Sequence, residues 1–164
     1  MENFMTFRHC VFNASPRLNI ILGQNGSGKS TISCAVCIVL GEDLRLLSRG
    51  NKLEEYIRYG EKQARVKVGY MFCLIKQILL RGENSDIEIE VRIHKGSADY
   101  YLNGKNIKKD KLKSLRRALK IDLSNLCQFL PQDRVSDFVN QSPQDRLFEF
   151  ERSVGGEESV HAVF

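Results

Sequence analysis

Apolar and polar residues alternate along several stretches of this chain. Residues 86–93, DIEIEVRI, alternate strictly, which predicts a strand with one buried and one solvated face. Looser patterns predict a further strand within residues 61–75 and one or two short strands within residues 4–12. The run LNIIL at residues 18–22 is apolar on both faces, and it therefore predicts a central strand covered from both sides.

Helical spacing and turn residues predict the elements between these strands. Residues 29–40 have the length and apolarity of a buried helix, and residues 110–120 have the spacing of an amphipathic one. Asn103 and Gly104 interrupt the pattern of residues 99–107, and this pair is typical of the type I′ turn of a β-hairpin. The apolar face of the helix at 110–120 is expected to carry Leu112, Leu115 and Leu119.

A last helix is predicted to begin at Ser142, after the short ordered segment NLCQFLPQDRV. The Ser142 hydroxyl can cap the helix, Pro143 suits its first position, and Asp145 completes a capping box. Gly155 and Gly156 are expected to end this helix, because glycine accepts the left-handed conformation found there.

The composition is that of one globular domain. Of the 164 residues, 42% are hydrophobic, which is enough for one sizeable core, and no repeat or low-complexity linker marks a boundary. No apolar run approaches the roughly 20 residues that cross a bilayer, so we expect no membrane partner. Five scattered cysteines favour a reducing compartment over a disulfide framework. Cys34 and Cys37 are expected to pack as small apolar groups.

The basic charge is concentrated in one stretch. The formal net charge is +5, and residues 105–120 hold eight of the 25 basic residues and one of the 20 acidic ones. The other residues include 17 basic and 19 acidic ones, so the whole basic excess lies in this stretch. A solvated helix face is the ordinary explanation, and a surface for nucleic-acid phosphates is the alternative.

The stretch GQNGSGKST at residues 23–31 indicates a specific chemistry. It matches G-x-x-x-x-G-K-[ST] between a predicted strand and a predicted helix, which is the context of a phosphate-binding loop (P-loop). Its glycines allow consecutive N–H groups to converge on a phosphate at the positive end of the helix. Lys29 should reach the β- and γ-phosphates of a nucleotide, and the Ser30 hydroxyl should hold Mg²⁺. The residues predicted to bind the nucleotide are Gly23, Asn25, Gly26, Ser27, Gly28, Lys29, Ser30 and Thr31.

The P-loop leaves the class of nucleotide-binding protein open. A small GTPase is disfavoured, because NKLE at residues 51–54 has Glu where a base-reading Asp is expected. Antiparallel strands before and after the P-loop helix favour an α/β fold of the ATP-binding-cassette type, a half-head with a mixed sheet. In it, antiparallel strands accompany a central P-loop strand and flanking helices. Hydrolysis in such heads also needs an Asp-Glu pair and a Ser-Gly-Gly signature. LSRGN at 47–51 and SVGGEES at 153–159 match the signature only in part.

Four stretches together resemble one family. ENFMTF, LNIILGQNGSGKS, LSRGNKLEEYIRYG and NLCQFLPQDRVSDF are similar to the N-terminal half of the head of the structural-maintenance-of-chromosomes (SMC) ATPases. Within this family they resemble most the fifth eukaryotic subunit, the partner of the sixth in a DNA-repair complex. The resemblance covers nearly the whole chain. It implies an N-terminal lobe over residues 1–152, with residues 153–164 as the start of a coiled coil or a truncated tail.

The resemblance also implies roles for single residues. Gln132, in LPQD, matches the Q-loop glutamine that contacts Mg²⁺ and the attacking water, and Gln128 is the nearby alternative. Arg49 matches an arginine loop that lies near the nucleotide in relatives. The candidates for contact with DNA are Lys109, Lys113 and Arg117.

Two hypotheses about function follow. In the first, the chain is the ATP-binding lobe of a nuclear, chromosome-organising ATPase that acts in DNA repair and recombination. ATP and Mg²⁺ would join two heads on DNA, and the partners would be the sixth SMC subunit, accessory non-SMC subunits and the chain's own C-terminal head lobe. In the second, the chain is a truncated, non-catalytic module that binds nucleotide or DNA. Because the Asp-Glu pair and a full signature are missing, we expect the chain alone to be inactive as an ATPase.

Overall fold

The computed structural model describes residues 1–15, 17–47, 52–70 and 87–155. These residues form two compact units, one up to Lys108 and one from Lys109 onwards. We call them the sheet unit and the helical unit. No helix in the described ranges is long and apolar enough to cross a membrane.

The sheet unit contains six strands, and every pair of neighbouring strands is antiparallel. Their order across the sheet is β2-β1-β3-β4-β5-β6. In chain order the strands are β1 (Glu2–Phe4), β2 (Phe7–His9), β3 (Gln63–Tyr70), β4 (Ile87–His94), β5 (Ser97–Leu102) and β6 (Lys105–Ile107).

β4 is the strand for which the alternating pattern was clearest, and the prediction is confirmed. It pairs along its length with β3 and β5, so the backbone groups of both edges have partners. On one face, Ile89, Val91 and Ile93 are completely buried and Ile87 is 5% exposed. The opposite face carries Glu88, Glu90, Arg92 and His94.

The helix α1 (Lys29–Val39) packs against β3 and β4 and completes the core of the sheet unit. Cys34 and Cys37 are buried in this helix, as expected for small apolar packing residues. At the edge of the core, the rings of Phe4 and Tyr56 stack with centroids 6.0 Å apart. The predicted buried helix at residues 29–40 is therefore confirmed.

The central strand predicted at residues 18–22 is wrong for this structure. Leu18, Ile20 and Leu22 are 75%, 71% and 87% exposed, and Ile21 is 39% exposed. No strand among the described residues pairs with this segment. A run that is apolar on both faces needs neighbours on both sides to remain a strand. A mixed sheet with a central P-loop strand was expected. In the described part of the chain, the sheet is instead antiparallel and contains no P-loop strand.

The hairpin between β5 and β6 is confirmed together with its turn. Asn103 and Gly104 have φ angles of 47° and 76°, the left-handed values that a type I′ turn requires. The Asn103 side chain also accepts a hydrogen bond from the N–H of Glu88 at 2.8 Å, which ties the turn to β4.

The helical unit has three α-helices. They are α2 (Lys109–Ala118), α3 (Val135–Asn140) and α4 (Pro143–Gly155). The cap of α4 is confirmed, since the Asp145 N–H donates to the Ser142 hydroxyl at 3.1 Å and that hydroxyl donates to the Asp145 carboxylate at 2.6 Å. The sequence patterns did not predict α3, nor the short 3-10 turn at Gln132–Arg134 before it.

A buried asparagine anchors the loop between α2 and α3. Asn125 is completely buried, and its side-chain amide donates to the carbonyl of Glu149 in α4 at 2.8 Å. Its side-chain oxygen accepts from the N–H of Cys127 at 2.8 Å. Leu112 of α2 is also completely buried, which agrees with the apolar face predicted for that helix.

Candidate phosphate-binding site

The P-loop leads directly into α1. Gly26 and Gly28 have φ angles of 83° and 97°, which residues with a Cβ rarely adopt. The N–H of Ser27 donates to the carbonyl of Gln24 at 3.2 Å, and the N–H of Thr31 donates to that of Gly28 at 3.0 Å. Gly28 occupies the N-cap position of α1 and makes no side-chain hydrogen bond, so no capping side chain competes with an anion for the first N–H groups of this helix.

The ammonium group of Lys29 lies against the loop's own backbone. It donates to the carbonyls of Gly23 and Gln24 at 2.6 and 2.8 Å. Both acceptors are neutral, and a phosphate oxygen is a charged acceptor that forms a stronger hydrogen bond with an ammonium. Lys29 can therefore exchange these carbonyls for a nucleotide phosphate, which is the chemistry predicted for it.

The other predicted nucleotide contacts differ in exposure. Asn25 and Ser27 are exposed, and Ser30 is half-buried in the first turn of α1, where its hydroxyl would hold Mg²⁺. The side chain of Thr31 is only 2% exposed, so it packs inward. The left-handed glycines, the uncapped helix start and the lysine fit a bound nucleotide, and the individual side-chain contacts stay predictions.

The two candidate Q-loop glutamines have different environments in the helical unit. The Gln128 side chain accepts from the N–H of Asp122 at 2.8 Å and donates to the carbonyls of Lys120 and Ser153 at 3.2 and 2.9 Å. Gln132 begins the 3-10 turn with an exposed side chain that has no hydrogen bond within the described ranges. Gln128 is thus used in holding the loop to α4, and the catalytic and Mg²⁺ role of Gln132 stays a prediction.

Three features singled out in the sequence lie wholly or partly outside the described residues. Arg49, the predicted arginine-loop residue, lies there, and so does most of the partial signature at 47–51. The other partial signature, at 153–159, continues beyond Gly155, the last described residue.

Exposed cations dominate the surface of α2. Lys109, Lys111, Lys113 and Arg117 are exposed, and Asp110 is the one acidic residue in the helix sequence. Within the part of the chain that the structure describes, none of these four cations forms an ion pair. Carboxylates of the described residues do not neutralise these four charges, and contact with DNA stays a prediction.

The polar face of the sheet contains a buried carboxylate that no sequence pattern had indicated. The side chain of Glu90 is 7% exposed and accepts hydrogen bonds from Arg65 at 2.7 Å and from Arg92 at 2.6 Å. Burial alone raises the pKa of Glu90, but the two arginines outweigh this effect and hold the pKa below its ordinary value. Arg92 also lies over the ring of Tyr101, 4.5 Å from the centroid. Strand alternation had indicated which face these residues share, but not which of them would pair.

A second overlooked residue lies next to the P-loop. A Cβ built on Gly28 would lie 2.6 Å from Cζ of Phe7, so the tip of this β2 ring is directly against the glycine. No local pattern in the sequence indicates this contact, because 20 intervening residues separate the two positions.

Known proteins are similar in sequence to this chain across nearly its whole length. A family model described as "AAA domain" matches residues 1–161. Structural maintenance of chromosomes protein 5 of Schizosaccharomyces pombe is 35% identical over 96% of the chain and 14% of that relative. The same-named protein of Arabidopsis thaliana is 34% identical over 94% and 14%. The chain belongs to the AAA domain family and is the N-terminal region of an SMC head. This SMC-head region spans about 14% of the length of these curated relatives.

Solved structures have the same fold as this SMC-head region. One, described as "Structural biochemistry of ATP-driven dimerization and DNA stimulated activation of SMC ATPases", aligns over 93% of the chain and 95% of its own with a TM-score of 0.75 and 22% identity. A second, "Crystal structure of the SmcHead bound to the C-winged helix domain of ScpA", aligns over 86% and 45% with a TM-score of 0.67 and 21% identity. At these identities the likeness concerns the fold, and it confirms the predicted α/β head.

Proposed function

We propose that this chain is the ATP-binding N-terminal lobe of an SMC ATPase that organises chromosomes and acts in DNA repair and recombination. ATP binds with Mg²⁺ at the P-loop and joins two heads on DNA in the nucleus. The observation that carries the proposal is the left-handed P-loop at Gly26 and Gly28 that leads into the uncapped start of α1. Ser30 and Gln132 would hold Mg²⁺, and Arg49 would approach the nucleotide.

The chain's own C-terminal head lobe is the first proposed partner. Leu18, Ile20 and Leu22 are apolar and exposed directly before the P-loop, and Val11 is 70% exposed nearby in sequence. Strands from a second lobe would cover this segment and convert it into the central strand that its composition suits. The chain's small share of its relatives' length supports a second lobe elsewhere in the protein.

Exposed apolar residues of α4 support the proposal that a coiled coil extends from the head. In α4, Leu147, Phe150 and Val154 are 58%, 58% and 68% exposed. Their spacing of three and four residues is that of a coiled-coil seam. A returning helix of the same protein would pack on this seam. The sixth SMC subunit and accessory non-SMC subunits are the further partners that we propose from the family.

Binding of Mg-ATP tests the phosphate site. Lys29→Ala should abolish the weak affinity of this chain for Mg-ATP in calorimetry, because it removes the cation that reaches the phosphates. Lys95→Ala is the matched control, since it removes an exposed lysine from the turn between β4 and β5. Equal affinities of the Lys29→Ala variant and the unmodified chain would contradict the proposed site.

Hydrolysis tests whether the site is split between lobes. The chain alone should turn over ATP negligibly, and adding the C-terminal lobe and an ATP-bound partner head should restore turnover. Gln132→Ala should then reduce turnover without loss of stability. Gln128→Ala should instead lower the free energy of unfolding, because the Gln128 side chain makes three hydrogen bonds within the helical unit. Full ATPase activity of the chain alone, lost in Lys29→Ala, would contradict the split site.

A non-catalytic module that binds nucleotide or DNA is the second candidate. DNA is favoured as a ligand in either case by the exposed cations of α2 that form no ion pair within the described ranges, since such cations can neutralise phosphates. They are Lys109, Lys111, Lys113 and Arg117. Reversing Lys109, Lys113 and Arg117 to Glu should weaken DNA binding and flatten its log–log salt dependence by about one unit per lost contact.

The matched control for this reversal changes the same number of charges on the sheet unit. Lys52, Lys62 and Lys95 are exposed and form no ion pair in the described ranges. Their reversal to Glu should leave the salt slope much closer to that of the unmodified chain. Equal log–log salt slopes for both triple variants would show that the exposed face of α2 is solvated and does not contact DNA.

A further inference from the structure

The ring of Phe7 lies against the backbone of the P-loop at its last glycine. A Cβ built on Gly28 would be 2.6 Å from Cζ and 2.9 Å from Cε2 of Phe7, which is closer than real Cβ atoms come. Gly28 is the N-cap of α1, and its carbonyl accepts the hydrogen bond from Thr31 that starts the helix. A shift of Gly28 would therefore move both the end of the loop and the first turn of α1.

The strand that carries Phe7 is firmly held. Phe4 and Phe7 are cross-strand partners at the end of the β1–β2 hairpin, and Phe4 is completely buried against Tyr56. Met5, in the hairpin turn, has a left-handed φ of 49°, and its N–H donates to the carbonyl of Tyr56 at 2.8 Å. A non-glycine residue keeps such a conformation only where its surroundings hold it. The hairpin thus gives the Phe7 ring a fixed location.

We infer that Phe7 is a positioning residue for phosphate binding, which it supports by holding Gly28 in place. The inference rests on the proposed ATP-binding function and adds a residue that lies outside the P-loop motif. Gly28 has φ 97° and lacks a side chain whose contacts could hold the backbone, so the loop alone does not restrict its backbone conformation at this residue. The ring restricts the movement of Gly28 and keeps the neighbouring N–H groups directed at the phosphates before the ligand arrives.

Phe7 could instead affect ATP binding by contacting the adenine base. Two ligands distinguish such a contact from the positioning of Gly28. Mg-ATP carries adenine and phosphates, whereas inorganic tripolyphosphate with Mg²⁺ carries phosphates alone. If Phe7 acts through Gly28, Phe7→Leu should lower the affinities for both ligands by the same factor. We expect roughly tenfold, equivalent to about 1.4 kcal/mol. Affinities can be read from the amide shifts of the loop glycines in NMR titrations, which report weak binding.

Two variants serve as controls. Phe7→Met should retain most of the affinity, because the long, flexible thioether side chain can still reach the glycine. Phe12→Leu makes the same chemical change at a residue that is 44% exposed, and it should leave both affinities within about twofold of the original, as surface changes usually do. If Phe7→Leu lowered the affinity for Mg-ATP but not that for tripolyphosphate, Phe7 would contact the adenine base. If it changed neither affinity, Phe7 would have no part in phosphate binding. Either result overturns the inference.

A measurement on the unmodified chain keeps the inference testable if Phe7→Leu does not fold. The Gly28 Hα protons lie against an aromatic ring, so their NMR signals should show a ring-current shift without any ligand. Random-coil shifts there would overturn the inference even if Mg-ATP binds. Failure of the unmodified chain to bind either phosphate compound, with the ring-current shift present, would instead overturn the proposed ATP-binding function and this role with it.

Discussion

β4 and the segment at residues 18–22 are both rich in isoleucine, and both were expected to be strands. In β4, Ile89, Val91 and Ile93 are completely buried, whereas Ile20 and Leu22 are 71% and 87% exposed. β4 has a hydrogen-bonded strand on each side and α1 on its apolar face, and the segment at 18–22 has no paired strand within the described ranges. Apolar composition shows that burial would stabilise a segment as a strand, but whether the segment is buried depends on the strands that lie beside it.

The polar face of β4 adds a second difference. Glu90 is enclosed by Arg65 and Arg92, so each charge there has a partner. Residues 18–22 include no charged residue. Within the described ranges the Asn19 side chain bonds only to the backbone of Ser15: its oxygen accepts from the N–H at 2.6 Å, and its amide donates to the carbonyl at 2.8 Å. β4 is therefore held by contacts on both of its faces, whereas the described residues hold neither face of the segment before the P-loop.

A charge in the core should have the largest effect. Val91→Asp would place an unpaired carboxylate at a completely buried position in β4, and it should cost more than about 4 kcal/mol of the free energy of unfolding. The sheet unit should then fail to fold, as measured by circular dichroism in urea. Ile20→Asp is the matched control and should change stability by less than about 0.5 kcal/mol. Similar losses in both variants would remove the contrast between the two segments.

Removing the charge of Glu90 should have the next largest effect. Glu90→Gln removes the carboxylate that Arg65 and Arg92 share, so Arg92 loses its ion pair and Arg65 keeps the longer one to Glu2 at 3.7 Å. It should cost about 1–3 kcal/mol in urea unfolding. Glu61→Gln, at an exposed residue, is the control and should be nearly neutral. A neutral Glu90→Gln would mean that the polar face of β4 contributes little to its stability.

Acid should reduce the contribution of Glu90 in the unmodified chain. The folded state holds the pKa of Glu90 below its ordinary value, so the stabilisation is complete above that ordinary value and disappears as the pH falls through the lowered pKa. The stability difference between the unmodified chain and Glu90→Gln should be full at neutral pH and vanish in strong acid. A difference that is constant with pH would show that the carboxylate charge is not its source.

Changes in the exposed segment should have the smallest effect on stability. Ile20→Asn with Leu22→Asn should change the free energy of unfolding by less than about 0.5 kcal/mol, since both side chains already face water. The same change should reduce self-association of the chain in sedimentation experiments, because it removes an exposed apolar patch. A large loss of stability would show that the segment is paired in solution.

Several features of this protein followed from the sequence alone because their causes are local. Asn103 and Gly104 predicted the hairpin turn, Ser142 with Asp145 predicted the start of α4, and the spacing of the P-loop predicted the loop before α1. In each case, residues within a few positions of one another set the backbone conformation. The alternation in β4 also indicated its buried face, since that pattern belongs to the strand itself.

Other features depended on residues that are distant in sequence. The exposure of Leu22, the pairing of Glu90 with Arg65, the use of Gln128 as an anchor to Ser153 and the contact of Phe7 with Gly28 were decided only by the tertiary structure. No local pattern encodes which strand lies beside another or which ring meets a loop. These outcomes follow from the packing of whole elements, because burial and hydrogen bonding depend on the neighbours that the fold brings together.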